Sequence, residues 1–307
     1  MYKVAVMMST YNGEKYVAEQ IESILGQRDV EVELFIRDDG SSDATESILK
    51  EFAEKNANVH YNIKQNVGSA VSFMDLLYSV SSEYDFYAFA DQDDVWLEDK
   101  LYNAVLMLKE ADAFLYASNQ ECTDKEMNSI GLRYSDDDKI HLQPFEIMQR
   151  NMLAGCTMVL SREFFKLLKE DSRRPSYALL KLRMHDVWVA FIAALYGKLI
   201  YDKRSFIKYR LHENNVVGAK PKGAIFNFKM RMKKLFHKEQ RNGRSRLAAD
   251  AMACFPEAAK KFREVEDCGD GRSFKGKRKI LKHAKAIRKI SGENKVSFFF
   301  KVMFGLY

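Results

Sequence analysis

Short apolar runs alternate with helix-patterned segments from the first residues to Ala117, and that rhythm leaves few folds open. Lys3 to Met8 is a compact apolar run. After the turn Tyr11-Asn12-Gly13, the residues Val17, Ile21, Ile24 and Leu25 recur at helical spacing. Val32 to Ile36 is a second run. It is closed by Arg37-Asp38-Asp39-Gly40-Ser41-Ser42-Asp43, whose last three residues offer a cap for a helix carrying Ile48, Leu49 and Phe52. The unit repeats as Val59 to Ile63, a helix over Ser69 to Val80, Phe86 to Ala90, a helix over Lys100 to Lys109, and Phe114 to Ala117. Strands separated by helices predict an α/β chain with a mostly parallel sheet covered on both faces.

Beyond residue 118 the rhythm loosens. Asp136-Asp137-Asp138 reads as a solvated loop, Met152 to Leu160 as a strand, and Val187 to Tyr196 as a helix preceded by Asp186. Short strands are expected at Lys198 to Tyr201 and at Phe206 to Tyr209, and helices at Phe226 to Phe236 and Arg246 to Phe255. The 307 residues are about twice the rough prior for one domain, and the charge marks where to divide them. Residues 1–220 carry a net −9 and residues 221–307 a net +15, so the sequence predicts domains at 1–218 and 219–307, the second basic and mainly helical.

Composition excludes several classes. With 47% hydrophobic and 30% charged residues, the chain is neither collagen-like nor disordered. Four cysteines without a C-x-x-C pair point away from a zinc site or secreted framework and toward a reducing, cytoplasmic compartment. Neither a signal peptide nor a membrane-spanning run is evident in the sequence, although a membrane surface remains open as a partner.

Open parallel sheets bind ligands outside the carboxyl ends of their strands. Three loops there are polar or acidic: Ser9-Thr10-Tyr11-Asn12, Asp38-Asp39 and Asp91-Gln92-Asp93-Asp94. Neither the dinucleotide glycine fingerprint nor a P-loop is present, so a phosphate needs another anchor. Carboxylates repel phosphate, but they hold a divalent cation that in turn holds a diphosphate. In an extended segment Asp91 and Asp93 point the same way, which suits that task. An EF-hand is excluded, because Val95 and Trp96 stand where an oxygen ligand and a turn glycine belong.

The motifs Val6-Met7-Met8-Ser9-Thr10-Tyr11-Asn12-Gly13, Ile36-Arg37-Asp38-Asp39-Gly40-Ser41-Ser42-Asp43, Asn66-Val67-Gly68, Asp91-Gln92-Asp93-Asp94-Val95-Trp96, His185-Asp186-Val187-Trp188 and Tyr209-Arg210-Leu211-His212 stand in one order from Lys3 to about Gly218. In that order the chain resembles the family 2 glycosyltransferases with the glycosyltransferase-A fold, particularly the bacterial rhamnosyltransferase-like branch. The resemblance implies a nucleotide site at Thr10, Tyr11, Asn12, Asp38, Asp39, Asn66, Gly68, Asp91, Gln92 and Asp94. Thr10, Tyr11 and Asp39 would line the base pocket, a carboxylate accepting the base's imino hydrogen, and Asp94 would contact the sugar. It implies Mg²⁺ or Mn²⁺ on Asp93, Asp91 and His212, and Asp186 as general base. Local roles compete with these: Asp43 and Asp186 as helix caps, Asp38 as an organiser of its own loop, Trp96 and Trp188 as packing residues, His185 as structural, and Cys156 as a small wall residue near the acceptor.

The same resemblance implies inverting, metal-dependent transfer of a sugar from a nucleoside diphosphate donor to a hydroxyl of a cell-surface polysaccharide or lipid-linked glycan. L-Rhamnose from dTDP-L-rhamnose is the leading donor and a UDP-hexose the alternative. From another class, the rival is a non-catalytic basic protein with a degenerate transferase domain, but no nucleic-acid motif accompanies the charge. The basic region carries Lys229, Arg231, Lys233, Lys234 and Lys238, then Lys275, Lys277, Arg278, Lys279, Lys282, Lys285, Arg288 and Lys289, before Phe298-Phe299-Phe300 and Val302-Met303-Phe304. Basic charge beside aromatics fits an anionic membrane surface, with the enzyme peripheral on its inner face. The competing reading packs the aromatics on the catalytic domain or on a second subunit, which leaves a homodimer open.

Overall fold

The computed structural model describes residues 1–212 and 242–307. The compositional break at Gly218 to Gly223, the helix expected at Phe226 to Phe236 and the basic residues Lys229 to Lys238 lie outside the described residues. In chain order the elements begin β1 (Tyr2–Thr10), α1 (Val17–Leu25), β2 (Val30–Asp38), α2 (Thr45–Lys55), β3 (Val59–Ile63), α3 (Ser69–Ser79), β4 (Phe86–Ala90), β5 (Val95–Trp96) and α4 (Lys100–Glu110). They continue with β6 (Leu115–Thr123), β7 (Ser129–Leu132), α5 (Pro144–Gln149), β8 (Val159–Ser161), α6 (Arg162–Lys169), α7 (Tyr177–Leu180), α8 (His185–Leu195) and β9 (Leu199–Arg210). After the undescribed segment come α9 (Gly243–Cys254), α10 (Pro256–Ala259), α11 (Arg263–Cys268), α12 (Phe274–Lys282), α13 (Ala284–Ser291) and α14 (Lys295–Met303).

Two compact units share these elements, and they interleave along the chain. The first holds residues 1–139, 153–170 and 198–212, and the second holds 140–152, 171–197 and 242–307 among the described residues. A single cut at 218 therefore does not follow the packing: α5, α7 and α8 belong with the C-terminal helices.

The first unit is built on one sheet in the order β3-β2-β1-β4-β8-β6-β9-β5, with β7 on β6. Its founding strand is β1, in which Val4 to Met8 are all fully buried. A strand apolar on both faces needs cover on both, which α1, α3 and α4 help supply through Val17, Ile21 and Ile24, Phe73 and Leu77, and Leu101, Ala104 and Leu108. β1 pairs in parallel with β2 on one side and β4 on the other, so the chain reverses its direction of travel across the sheet at β1. The sheet is mixed beyond β4. β8 runs antiparallel to both β4 and β6, β6 and β9 are parallel, and β5 runs antiparallel to β9.

Four local expectations are corrected. Residues 155–157 form a 3-10 turn, in which Thr157 Oγ1 donates to the Ala154 carbonyl at 2.8 Å, so in place of the expected Met152 to Leu160 strand the sheet gains only the short strand Val159–Ser161. The two strands expected between Lys198 and Tyr209 are one. Lys203 and Arg204 are absorbed by a shift in register between Ser118, which pairs with Asp202, and Asn119, which pairs with Ser205, and the Asp202 carboxylate accepts the Arg204 N-H at 2.9 Å. Helix α2 is capped at Ala44 rather than at Ser41, Ser42 or Asp43, although the Asp43 carboxylate still accepts the Thr45 N-H at 3.0 Å. Asp186 lies inside the first turn of α8, whose cap position is Met184, so it is not a capping residue.

The second unit is helical. Helix α8 is buried at every residue but Asp186, because neighbours enclose it on all sides. Trp188 and Tyr196 meet the Phe255 ring at 5.9 Å and 6.3 Å, and the Tyr196 hydroxyl donates to Glu257 at 2.6 Å. The C-terminal residue is anchored too: the Tyr307 hydroxyl donates to Gln149 Oε1 of α5 at 2.9 Å, and its carbonyl accepts from Arg244 N at 3.1 Å.

Candidate active site

The loops after β1, β2, β3 and β4 meet at the edge where the chain reverses across the sheet, and hydrogen bonds join them. Gln92 Oε1 accepts the Tyr11 N-H at 2.8 Å while Gln92 Nε2 donates to the Tyr11 carbonyl at 3.1 Å, a reciprocal pair that ties the β1 loop to the β4 loop. That closeness explains Gly13, whose added Cβ would lie 2.4 Å from Gln92 Oε1. Asn12, at φ 48°, turns its Oδ1 toward the Ser42 N-H at 2.9 Å, and its own N-H donates to Ser41 Oγ at 2.8 Å. The left-handed conformation is one that asparagine tolerates.

Asp38 and Asp39 are buried, and both are already well supplied with donors. Asp38 accepts from Thr10 Oγ1 at 2.7 Å, Ser41 Oγ at 2.6 Å, Ser41 N at 2.7 Å and Gly40 N at 3.1 Å. It therefore organises its own loop, the local role that competed with ligand contact. Asp39 pairs with the buried guanidinium of Arg37 and accepts the Val67 and Gly68 N-H groups at 3.0 Å and 2.9 Å. Gly68, at φ 86°, presents its N-H there in a conformation that side chains rarely adopt, and Asn66 is exposed beside it. Tyr11 is half exposed at this edge.

The acidic loop divides into two contacts. His212 Nε2 lies 2.8 Å from Asp93 Oδ2, with the His212 ring 5.2 Å from that of Tyr16. The pairing of β5 with β9 brings this about, since Val95 registers with Lys208 and β9 then returns residues 210–212 to the β4 loop. Arg210, buried, fastens the return by donating to the Asp93 carbonyl at 3.1 Å and the Lys125 carbonyl at 2.9 Å and by pairing with Glu19. On the other side, ligand atoms of Asp91, Asp94 and Cys156 lie within 4.8 Å of one another. Burial, and then the charges of Asp93 and Asp91, hold the Asp94 carboxyl well above its ordinary range. Cys156 is a buried wall residue of this acidic loop. Burial and the Asp94 charge push its thiol well above the ordinary value, so it stays protonated and makes a poor ligand for a hard cation.

These groups fit a divalent cation. Residues 92–93 form a turn rather than the expected extended segment, so Asp91 groups with Asp94 and Cys156 while Asp93 meets His212. The charges of Asp93 and Asp91 add to the burial that raises Asp94, and a cation held at this loop would offset that repulsion. His212 is close enough to Asp93 to share in holding it. Asp186 belongs to the second unit. It is half-buried at the first turn of α8, and its Oδ1 accepts the Val187 N-H at 2.6 Å. His185 is buried, and desolvation lowers it to about 3, so its ring is neutral.

Sequence reasoning missed Arg37, Arg210 and Lys100. Arg37 lies at the buried end of an apolar strand next to the motif acids Asp38 and Asp39, which was the available signal, while Arg210 stands inside the Tyr209-Arg210-Leu211-His212 motif at the end of β9. Lys100 is fully buried, with its Nζ 3.6 Å from the centre of the Trp96 ring. Desolvation lowers it to about 7, against the opposing pull of Asp94. Trp96 thus packs in the core as expected, while also receiving a cation.

The profile of Glycosyl transferase family 2 matches residues 5–168. Among curated relatives, dTDP-rhamnosyl transferase RfbG of Shigella flexneri is 32% identical over 233 residues, 74% of this chain and 78% of that protein. The UDP-Glc:alpha-D-GlcNAc-diphosphoundecaprenol beta-1,3-glucosyltransferase WfgD of Escherichia coli is 31% identical over 163 residues, 52% of this chain and 61% of that protein. Among solved structures, residues 1–349 of S. aureus TarS match with a TM-score of 0.58 at 16% identity, covering 98% of this chain and 88% of that one, a likeness of fold. The mixed sheet with its acidic loop after β4, the profile over more than half of the chain and the identity with a relative across 74% of it agree: this chain belongs to glycosyl transferase family 2.

Proposed function

We propose that this glycosyltransferase moves L-rhamnose from dTDP-L-rhamnose to a hydroxyl of a cell-surface polysaccharide or lipid-linked glycan, with inversion. The observation that carries the reading is the joined set of loops at the β1/β4 edge, where an exposed tyrosine ring adjoins an acidic loop fit for a cation. The donor sugar is supported by the name of the relative RfbG. A UDP-hexose is the second reading, supported by the name of WfgD.

In this reading Tyr11 covers the base, while Thr10, Asn12, Asn66, Gly68 and Gln92 shape the pocket. Asp38 and Asp39 act mainly by fixing the loops, because their oxygens are occupied by protein donors. Asp91 and Asp93, with His212, hold Mg²⁺ or Mn²⁺, whereas Asp94, which the resemblance placed on the sugar, is fully buried and backs the loop instead. When bound, the cation offsets the negative charge that gathers on the departing diphosphate. Asp186 takes the acceptor's proton as general base, a contribution of typically 10²- to 10⁴-fold. The inner face of the cell membrane is the proposed location, with the membrane surface as a partner.

A donor panel with released nucleoside diphosphate as readout tests the proposal. Metal-dependent release from dTDP-L-rhamnose, stimulated by acceptor glycan and well above that from UDP-sugars, is the expected result. Preference for a UDP-hexose establishes the second reading. Release from neither, together with retention of nucleic acid on the basic region, establishes the non-catalytic rival.

A further inference from the structure

Helix α14 carries two apolar stripes, and only one of them is covered. Phe298 and Val302, four residues apart, are buried within the second unit. Val296, Phe299, Phe300, Met303 and Phe304 follow the spacing i, i+3, i+4, i+7, i+8, and all are exposed, by 80%, 53%, 41%, 40% and 53% respectively. The Phe300 and Phe304 rings pack together at 4.4 Å, so the stripe is a continuous aromatic ridge. Soluble surfaces rarely leave such a ridge without a partner.

The neighbouring helix extends it. Lys277 of α12 donates to the Met303 carbonyl at 2.8 Å, which sets one face of α12 beside the end of the ridge. Phe274, 81% exposed, and Arg278 share that face with Lys277 at i, i+3 and i+4. Residues 271–307 carry eleven Lys and Arg against the single acid Glu293. That acid is taken up by Arg244 at 2.8 Å and Lys301 at 2.9 Å. Arg272, Lys275, Arg278, Lys282, Lys285, Lys289 and Lys295 are exposed.

We infer that the α14 ridge and the basic residues around it dock this enzyme on an anionic phospholipid bilayer. This deepens the membrane partner of the proposed function and rests on that reading. The charge selects the occupant: a second copy of so basic a face is repelled, whereas anionic headgroups are attracted, and aromatic side chains fill the zone just beneath them. The helix lies in the interface rather than crossing it, since among the described residues no helix is long and apolar enough to span.

The test is flotation of the full chain with phosphatidylcholine vesicles made with and without phosphatidylglycerol. Binding is expected only with phosphatidylglycerol, and it should weaken as salt is raised. Phe299→Ser with Phe304→Ser, and separately Lys275→Glu with Arg278→Glu, should each weaken binding by about tenfold or more while melting temperature is kept. Each pair changes exposed residues only, so loss of folding in one leaves the other to decide. Nucleotide-dependent thermal shift, recorded on the same samples, should match wild type in both, which separates a failed docking surface from a failed transferase reading. Equal binding to both vesicle types, or wild-type flotation by both pairs, overturns the inference. So does light scattering that shows a dimer dissolved by the Phe variants, since the ridge is then a contact between copies.

Discussion

Gln92 does more for this site than its neutral amide promises, because it bonds both the N-H and the carbonyl of Tyr11 across two loops. Gly13→Ala puts a methyl group against its amide, and since that is the end of a flexible side chain, Gln92 swings away and the pair is lost. Two hydrogen bonds at about 1 kcal/mol each set the scale, so nucleotide affinity should fall by up to about thirtyfold. Calorimetry on a double-mutant cycle checks this: in a Gln92→Ala background, Gly13→Ala should add little. Lys100 makes a different prediction. Its folded-state value, near 7, lies below the ordinary value of 10.5, so between those limits the unfolded chain binds more protons and stability rises with pH. Below about 7 the residue is protonated in both states, and the burial cost is constant. Urea titrations across that window should show a rise of up to ~1 kcal/mol per pH unit that is absent in Lys100→Met. An identical pH profile in the variant would show that the buried amine does not titrate there.

Helix α8 and the β5–β9 pairing each separate a structural from a chemical role. Asp186 occupies the first turn of α8, where a carboxylate near the positive end of the helix is worth no more than ~1 kcal/mol. Asp186→Asn should therefore cost little stability, yet lower turnover by at least about 10²-fold with donor binding intact, if the side chain takes the acceptor proton. Turnover near wild type would remove it from the mechanism. At the other element, β9 delivers His212 to Asp93, so Asp93→Ala should abolish the metal dependence of nucleotide binding, and His212→Ala should weaken it. Calorimetry with and without EDTA reads both. Nucleotide affinity in Asp93→Ala equal to wild type, with no effect of EDTA on either, would overturn the assignment.

The described residues form two units whose segments alternate along the sequence, and that sets where the chain can be cut. A chain ending at Gly218 retains α5 and α8 but loses Phe255, Glu257 and Tyr307, against which Trp188, Tyr196 and Gln149 pack. Burying a large apolar side chain contributes about 1.5–3 kcal/mol, so exposing the flanks of α8 exceeds what a marginally stable domain can lose. The truncated chain is expected to aggregate, and light scattering with circular dichroism would show it. A monomeric, cooperatively melting product would contradict the packing described here.

The alternation from Lys3 to Ala117 was enough by itself to place β1 to β4 and α1 to α4 within a few residues, because β1, β2 and β4 are rich in buried apolar residues and each helix shows an apolar stripe. The motif acids and the place where their loops gather were legible for the same reason: strand ends follow directly from strand positions. The sequence could not show that Asp202 to Arg204 lie inside a strand, because a register shift hides charged residues that local pattern reads as a break. Nor could it show that His212 returns to Asp93, that Cys156 lies against Asp94, or that residues 140–152 and 171–197 join the basic C-terminal helices. Those outcomes depend on which strand edges pair and which apolar faces meet at long separation, energies that belong to the assembled chain rather than to any window of it.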